Sequence, residues 1–267
     1  MVTTINGLLE KMWVDYTTMN PQAKKVYDTL TGEGEKVLND HIALRTFNDP
    51  RVCVDVLAKP ILSAGYKEAG KYDFEQKKLK AKHFHHPDEN MPKIFISELE
   101  LQYFSPDFQA EVKKLVDQVK PSDIARFDFM SMGRPWNVSS STYEKLQKES
   151  DYAAWVAAIG YRPNHFTVYI NHLKKFNDIK VLNSFLKSKG FKLNDSGGEI
   201  KGTPAELLEQ SSTLADTVEV EFSDKKIKIP SCYYEFAKRY PGADGKLYQG
   251  FIAKSADKIF ESTNKGQ

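Results

Sequence analysis

Two histidines of this 267-residue chain, His41 and His165, stand at matching places in two similar stretches. The first stretch is His41-Ile-Ala-Leu-Arg-Thr-Phe47 and the second is Asn164-His-Phe-Thr-Val-Tyr-Ile170. Both read as strands, and the two-residue alternation puts His41, Ala43 and Arg45 on one face of the first and His165, Thr167 and Tyr169 on one face of the second. A lone strand histidine is usually structural. Two at equivalent places, in copies that pair face to face, would aim both imidazoles into one cleft. Glu235 follows Cys232-Tyr-Tyr234, and a carboxylate in an aromatic strand end is costly to bury unless it is paired or bound to metal. Two histidines and one carboxylate leave about three positions open on an octahedral ion, the ligand set of non-haem iron(II) oxygenases. Arg45 lies four residues beyond His41 on the same face, and its planar fork can clamp a carboxylate through two hydrogen bonds. A metal with such an arginine nearby suits an α-keto acid, chelated at one end and salt-bridged at the other. The competing reading pairs Arg45 with an internal acid such as Glu98 or Glu100.

Other groups rank below these. His83, His85 and His86 cluster on a strand that runs into the Pro87 turn, and the second stretch has no counterpart, so they read as structural. Glu219 and Glu221 alternate with Val218 and Val220, which suits the polar face of a half-exposed strand. Either remains open as a replacement for Glu235 in the ligand set. Gln210-Ser-Ser-Thr213 reads first as a turn or capping segment and second as a contact to the ligands or substrate. The chain has no Gly-x-Gly-x-x-Gly, P-loop, Cys-x-x-Cys or Gly-x-Ser-x-Gly motif, so no serine-hydrolase signature is present.

The elements that must position these residues repeat. Helical spacing through Leu8, Leu9, Met12, Trp13 and Tyr16, broken at Pro21, predicts two N-terminal helices. A strand at 41–47, a helix over 50–64, strands around 71–74 and 81–85 and a strand over 93–100 follow. Residues 106–158 read as mainly helical. A strand at 164–170, a helix at 179–189, a strand within 191–202, a short helix or loop at 206–213 and strands at 217–222 and 227–235 complete the chain, with Glu235 ending the last. The order βαβββ thus occurs twice, a duplication that dominates the organisation. The expected division is one metal-cup domain over 1–267, made of N-terminal helices (1–37), a first βαβββ module (38–105), a helical connector or lid (106–160), and a second module with a C-terminal segment (161–267).

Composition narrows the class. The 38 Lys and Arg nearly balance 36 Asp and Glu, so nothing calls for nucleic acid or an anionic membrane as partner. Two cysteines cannot form a disulfide framework and read as reduced. No stretch approaches the roughly 18–20 apolar residues of a membrane span, and the expected location is cytoplasmic. Oligomeric state is not legible.

The blocks Asp40-His-Ile-Ala-Leu-Arg-Thr-Phe47, Ile94-Phe-Ile-Ser-Glu-Leu99, Asn164-His-Phe-Thr-Val168, Gln210-Ser-Ser-Thr213 and Tyr233-Tyr-Glu-Phe-Ala-Lys-Arg-Tyr240 resemble the DUF1338 family, of which this chain is a short member. Characterised members are 2-oxoadipate dioxygenase/decarboxylases, also called 2-hydroxyglutarate synthases, and the resemblance runs from about residue 38 to residue 262. It implies an α+β fold of two βαβββ modules like those of the vicinal-oxygen-chelate superfamily, forming a metal cup. It also implies Fe(2+) held by His41, His165 and Glu235, a substrate-carboxylate role for Arg45, and weaker substrate contacts at Lys254 and Ser255. The expected reaction takes a small 2-oxo acid and O2 to a 2-hydroxy acid one carbon shorter and CO2. The alternatives are a metal-dependent isomerase, lyase or hydrolase on the same scaffold, or a non-catalytic binder of small acids.

Overall fold

The duplicated strand–helix–strand order builds a single curled sheet. The computed structural model describes residues 2–252. The first copy comprises β1 (Asn39–Phe47), two short helices, α3 (Val54–Leu57) and α4 (Lys59–Ser63), then β2 (Lys67–Phe74), β3 (Leu79–His85) and β4 (Lys93–Leu99). The second comprises β5 (Pro163–Tyr169), α9 (Ile179–Ser188), β6 (Lys201–Thr203), β7 (Leu208–Ser212) and β10 (Tyr233–Arg239). The eight strands lie in the order β2-β3-β4-β1-β5-β10-β7-β6. In each copy the first strand pairs parallel with the last, β1 with β4 and β5 with β10. The copies meet where β1 runs antiparallel to β5, with His41 opposite Thr167 and Ala43 opposite His165. The fold is therefore α+β, with two βαβββ units related about the β1–β5 seam.

Helices back the sheet. α1 (Ile5–Met19) is capped by Thr4, buries Leu8, Met12 and Tyr16, and leads through Asn20 into α2 (Pro21–Gly32). Trp13 and Tyr16 of α1 pack on Phe166 and Tyr234, the even-numbered face of the second unit. The odd-numbered face is thereby left to line the cup. Between the units lie α5 (Pro106–Val116), α6 (Pro121–Ile124), α7 (Ser140–Glu149) and α8 (Asp151–Ile159). α8 closes one end of the cup: the Tyr152 hydroxyl donates to the Ser97 carbonyl at 2.7 Å and accepts from the Thr46 N–H at 3.1 Å, while the Trp155 indole donates to the Ser231 carbonyl at 2.6 Å. α8 ends at Gly160, whose φ of 75° turns the chain into β5; a Cβ there would meet the Arg134 backbone at 2.4 Å.

Several elements differ from the sequence reading. The helix expected over 50–64 is two helices, because Pro60 cannot continue one ladder and instead occupies the first turn of the second. Of the strand expected within 191–202, only the end is formed, as β6 (Lys201–Thr203). Residues 208–212, expected as helix or loop, form β7, and its wholly buried polar residues conceal any alternation. The strands expected at 217–222 and 227–235 are a separate hairpin, β8 (Thr217–Glu221) with β9 (Lys226–Pro230), outside the eight-stranded sheet. After Pro230 the chain re-enters the cup, so Glu235 is the third residue of β10 rather than its end.

Candidate metal centre

Neighbouring strands at the seam carry the three donors. His41 comes from β1, His165 from β5 and Glu235 from β10, and all are buried, at 2%, 5% and 1% exposure. One ligand atom from each lies within 4.8 Å of the others. His41 Nε2 is 3.3 Å from Glu235 Oε1, His165 Nε2 is 3.4 Å from Glu235 Oε2, and the two Nε2 atoms are 3.4 Å apart. Such separations suit donors sharing one small ion at about 2.0–2.2 Å.

Each donor is oriented from behind. His41 Nδ1 faces Asp40 Oδ1 at 2.8 Å and His165 Nδ1 faces Asn164 Oδ1 at 3.2 Å. Both partners are acceptors, so each Nδ1 carries the hydrogen and each Nε2 lone pair points at the carboxylate. Glu235 Oε1 accepts from the Gln210 amide of β7 at 2.6 Å, and the Thr167 hydroxyl lies 3.1 Å from His41 Nε2. Asp40 is itself gripped by the buried Arg239, through Nε to Oδ2 at 2.6 Å and NH2 to Oδ1 at 2.8 Å. The same guanidinium donates to the carbonyls of Tyr248 and Gly250, which ties the chain after β10 to the site. Phe251 then sits edge-on to His41 with centroids 4.8 Å apart and packs against Phe95, His83 and Tyr72.

The charges agree with this reading. Burial works against the Glu235 carboxylate, but His165 and His41 outweigh it and hold its pKa below the ordinary value. Burial likewise opposes a proton on His41, yet Glu235 and Asp40 beside it raise its pKa. His165 is pushed down to about 3, mainly by burial. Asp40 stays well below the usual carboxyl range because Arg239 overcomes its desolvation. Two ring nitrogens and a carboxylate converging in a buried pocket suit a cation, and the three residues could hold a metal ion.

Arg45 lies on the same face of β1, opposite Ser97 of β4, and is 3% exposed. Its guanidinium is 5.0 Å from the Tyr152 ring centroid and 5.1 Å from that of Trp155, both from α8. Glu98 accepts from the Val54 N–H, and Glu100 pairs with Lys80. Tyr233 stacks on His165 with centroids 4.7 Å apart and planes 27° apart. Burial raises its pKa well above the ordinary phenol.

His41, Arg45, His165 and Glu235 are thus brought to one cup, while Lys254 and Ser255 lie outside the described residues. Glu219 and Glu221 are exposed on the β8–β9 hairpin, away from the cup. His83 is buried and bonds the Tyr72 hydroxyl at 2.9 Å, with its pKa lowered to about 3 by burial. Both cysteines are free thiols. Among the described residues no helix is long and apolar enough to cross a membrane. Sequence reasoning passed over Asp40, Asn164, Arg239 and Tyr233. The first two carried a visible signal, since an Asx residue precedes the histidine in both copies.

A family model described as 2-oxoadipate dioxygenase/decarboxylase matches residues 2–246. A chloroplastic protein of that name from Arabidopsis thaliana is 35% identical over 288 residues, covering 98% of this chain and 78% of the relative. Among solved structures, a Shewanella frigidimarina protein provisionally named a hydrolase is 54% identical, with a TM-score of 0.91 over 95% of this chain and 99% of that one. The Oryza sativa hydroxyglutarate synthase in complex with 2-oxoadipate is 32% identical, with a TM-score of 0.90 over 97% of this chain and 92% of that one. A Ralstonia eutropha protein named for the glyoxalase superfamily shares the fold, at 21% identity and a TM-score of 0.76 over 92% of this chain and 84% of that one.

Proposed function

The chain belongs to the 2-oxoadipate dioxygenase/decarboxylase family, and from that premise we propose that it is an iron(II)-dependent enzyme converting 2-oxoadipate, or a close 2-oxo acid, and O2 to a 2-hydroxy acid one carbon shorter and CO2. The observation that carries this is the convergence of His41 Nε2, His165 Nε2 and Glu235 on one buried point, with Arg45 on the same strand face. His41, His165 and Glu235 would hold the ion, and three ligands leave positions for substrate and oxygen. Iron(II), when bound, supplies the redox chemistry that activates O2.

The remaining work falls to the protein. Arg45 salt-bridges the distal carboxylate of the acid, and Tyr152 and Trp155 flank its guanidinium. Asp40 and Asn164 keep the Nδ1 hydrogens in place, so neither imidazole can turn its lone pair away. Gln210 fixes the Glu235 carboxylate. Phe251, Phe95 and Tyr72 wall the cup with apolar surface that excludes water from the reacting acid. We place Lys254 and Ser255 as further substrate contacts and treat 1–267 as one metal-cup domain, with 106–160 as its connector. The free thiols fit a reducing compartment such as the cytoplasm.

The name carried by the Shewanella protein favours a second reading, hydrolysis by a metal-bound water. Oxygen separates the two. Protein loaded anaerobically with iron(II) is mixed with 2-oxoadipate in air-saturated buffer, and oxygen, CO2 and 2-hydroxyglutarate are followed together. Equal loss of oxygen and gain of both products is expected. Full iron occupancy with no oxygen uptake on any 2-oxo acid would discard the oxygenase reading.

A further inference from the structure

Tyr233 is completely buried, and its hydroxyl meets no hydrogen-bond partner among the described residues. A buried hydroxyl left in that state is unfavourable. Two other tyrosines share the condition, Tyr161 and Tyr234. Their surroundings differ: Tyr161 packs between Phe129 and Trp136, and Tyr234 packs on Trp13 and Phe236, all in the helix-backed layers of the core. Tyr233 faces the cup. It lies opposite His165 in the β5–β10 register and two residues before Glu235 on the same face. Its ring is held flat against the His165 imidazole. Its electrostatic neighbours include Glu235 and Arg45, the metal-side carboxylate and the arginine placed to take the distal carboxylate, along with the thiol of Cys232.

We infer that Tyr233 is a substrate-binding residue, whose hydroxyl donates a hydrogen bond to a carboxylate oxygen of the bound 2-oxo acid. This rests on the reading above that such an acid occupies the cup. Stacking on His165 fixes the ring before the ligand arrives, so little rotamer freedom is lost on binding. The donor also gives the acid a neutral contact beside the charged one from Arg45.

The test is Tyr233→Phe, which removes one oxygen and keeps the stacked ring. Wild type and variant are loaded with manganese(II) and titrated calorimetrically with 2-oxoadipate without oxygen, so that binding is read apart from turnover. The expected result is about tenfold weaker binding by the variant, in the range of a hydrogen bond to a charged group. Metal content should be unchanged, and the thermal midpoint of the metal-free variant should be equal to or above that of wild type, because an uncompensated hydroxyl has been removed. Equal affinity in the two proteins overturns the inference alone. A lowered midpoint in the metal-free variant also overturns it, since the hydroxyl would then serve the fold. Wild type that binds no 2-oxo acid brings down the functional reading, and this one with it.

Discussion

Replacing Asp40 by Leu should separate the stability of the cup from the strength of its metal site. The Asp40 side chain is fully buried and meets Arg239 through two short charge-assisted bonds. Breaking a buried pair by neutralising one partner costs about 3–5 kcal/mol. Leucine offers no acceptor, but Arg239 retains its bonds to the Tyr248 and Gly250 carbonyls, so the lower end, about 3 kcal/mol, is expected. Asp40 also receives the His41 Nδ1 hydrogen, and loss of such a partner typically weakens metal binding by about 10–100-fold. Urea unfolding of the metal-free protein gives the first quantity, and competitive titration with zinc(II) gives the second. The folded-state pKa of Asp40 is depressed, so its contribution is complete above the unfolded carboxyl value of about 3.9 and is lost only as pH falls towards the lower folded value. The deficit of the variant should therefore be constant between about pH 5 and 8. Adding Arg239→Met should recover part of the stability, because an apolar side chain needs no counter-charge, while metal affinity stays low. A single variant as stable as wild type would refute the buried-pair account. Wild-type zinc affinity would refute the orientation of His41 by Asp40.

Arg45→Met should weaken binding of a dicarboxylic 2-oxo acid by about 2–4 kcal/mol, as for truncation of a buried charge pair, while pyruvate binding and metal content hold; calorimetry showing equal losses for both acids would remove Arg45 from the distal carboxylate. Metal affinity should fall as pH drops from about 8 to about 6, because the raised pKa of His41 lets a proton compete earlier than at an ordinary histidine near 6.5; a pH-independent zinc affinity over that range would contradict the assignment. Gly70→Ala would put a Cβ 2.6 Å from His83 Cε1 and 3.1 Å from the Tyr72 hydroxyl, and the overpacking should cost about 1–3 kcal/mol by denaturant titration.

The parts of this site that could be read in advance were those carried by local repetition. β1 and β5 were found because β-branched and aromatic residues alternate around a histidine in each, and duplication then put the two imidazoles in one cleft. Arg45 followed from the period of two on β1. What escaped was set by long-range pairing. β7 offers no alternation, since Gln210 and Ser212 on one face and Ser211 on the other are all buried, so the local pattern puts a turn first and a contact to the ligands second, and it is the second that Gln210 makes by fixing Glu235. The break between β9 and β10 is a choice between two sheets, made by a hairpin that folds outside the cup, and nothing local announces it. Arg239 reaches Asp40 across 199 positions, and no spacing rule connects them. Asp40 and Asn164 sat in plain view beside their histidines, but only the backbone orientation reveals that each turns back to the ring it precedes.

The seam between the two units gives any bound ion a mechanical role. His41 and His165 are 124 positions apart, on the two neighbouring strands at which the halves of the eight-stranded sheet meet, and an ion between them is a cross-link closing a long loop. A tie of that kind acts most on the unfolded chain, whose loop-closure entropy it would remove, yet the scattered donors cannot assemble there. The ion therefore binds the native state alone and adds resistance to unfolding in proportion to the logarithm of its free concentration. Stripping it with a chelator should open the β1–β5 seam first, visible as faster amide exchange along β1 and β5 than in the helix-backed interior of either half.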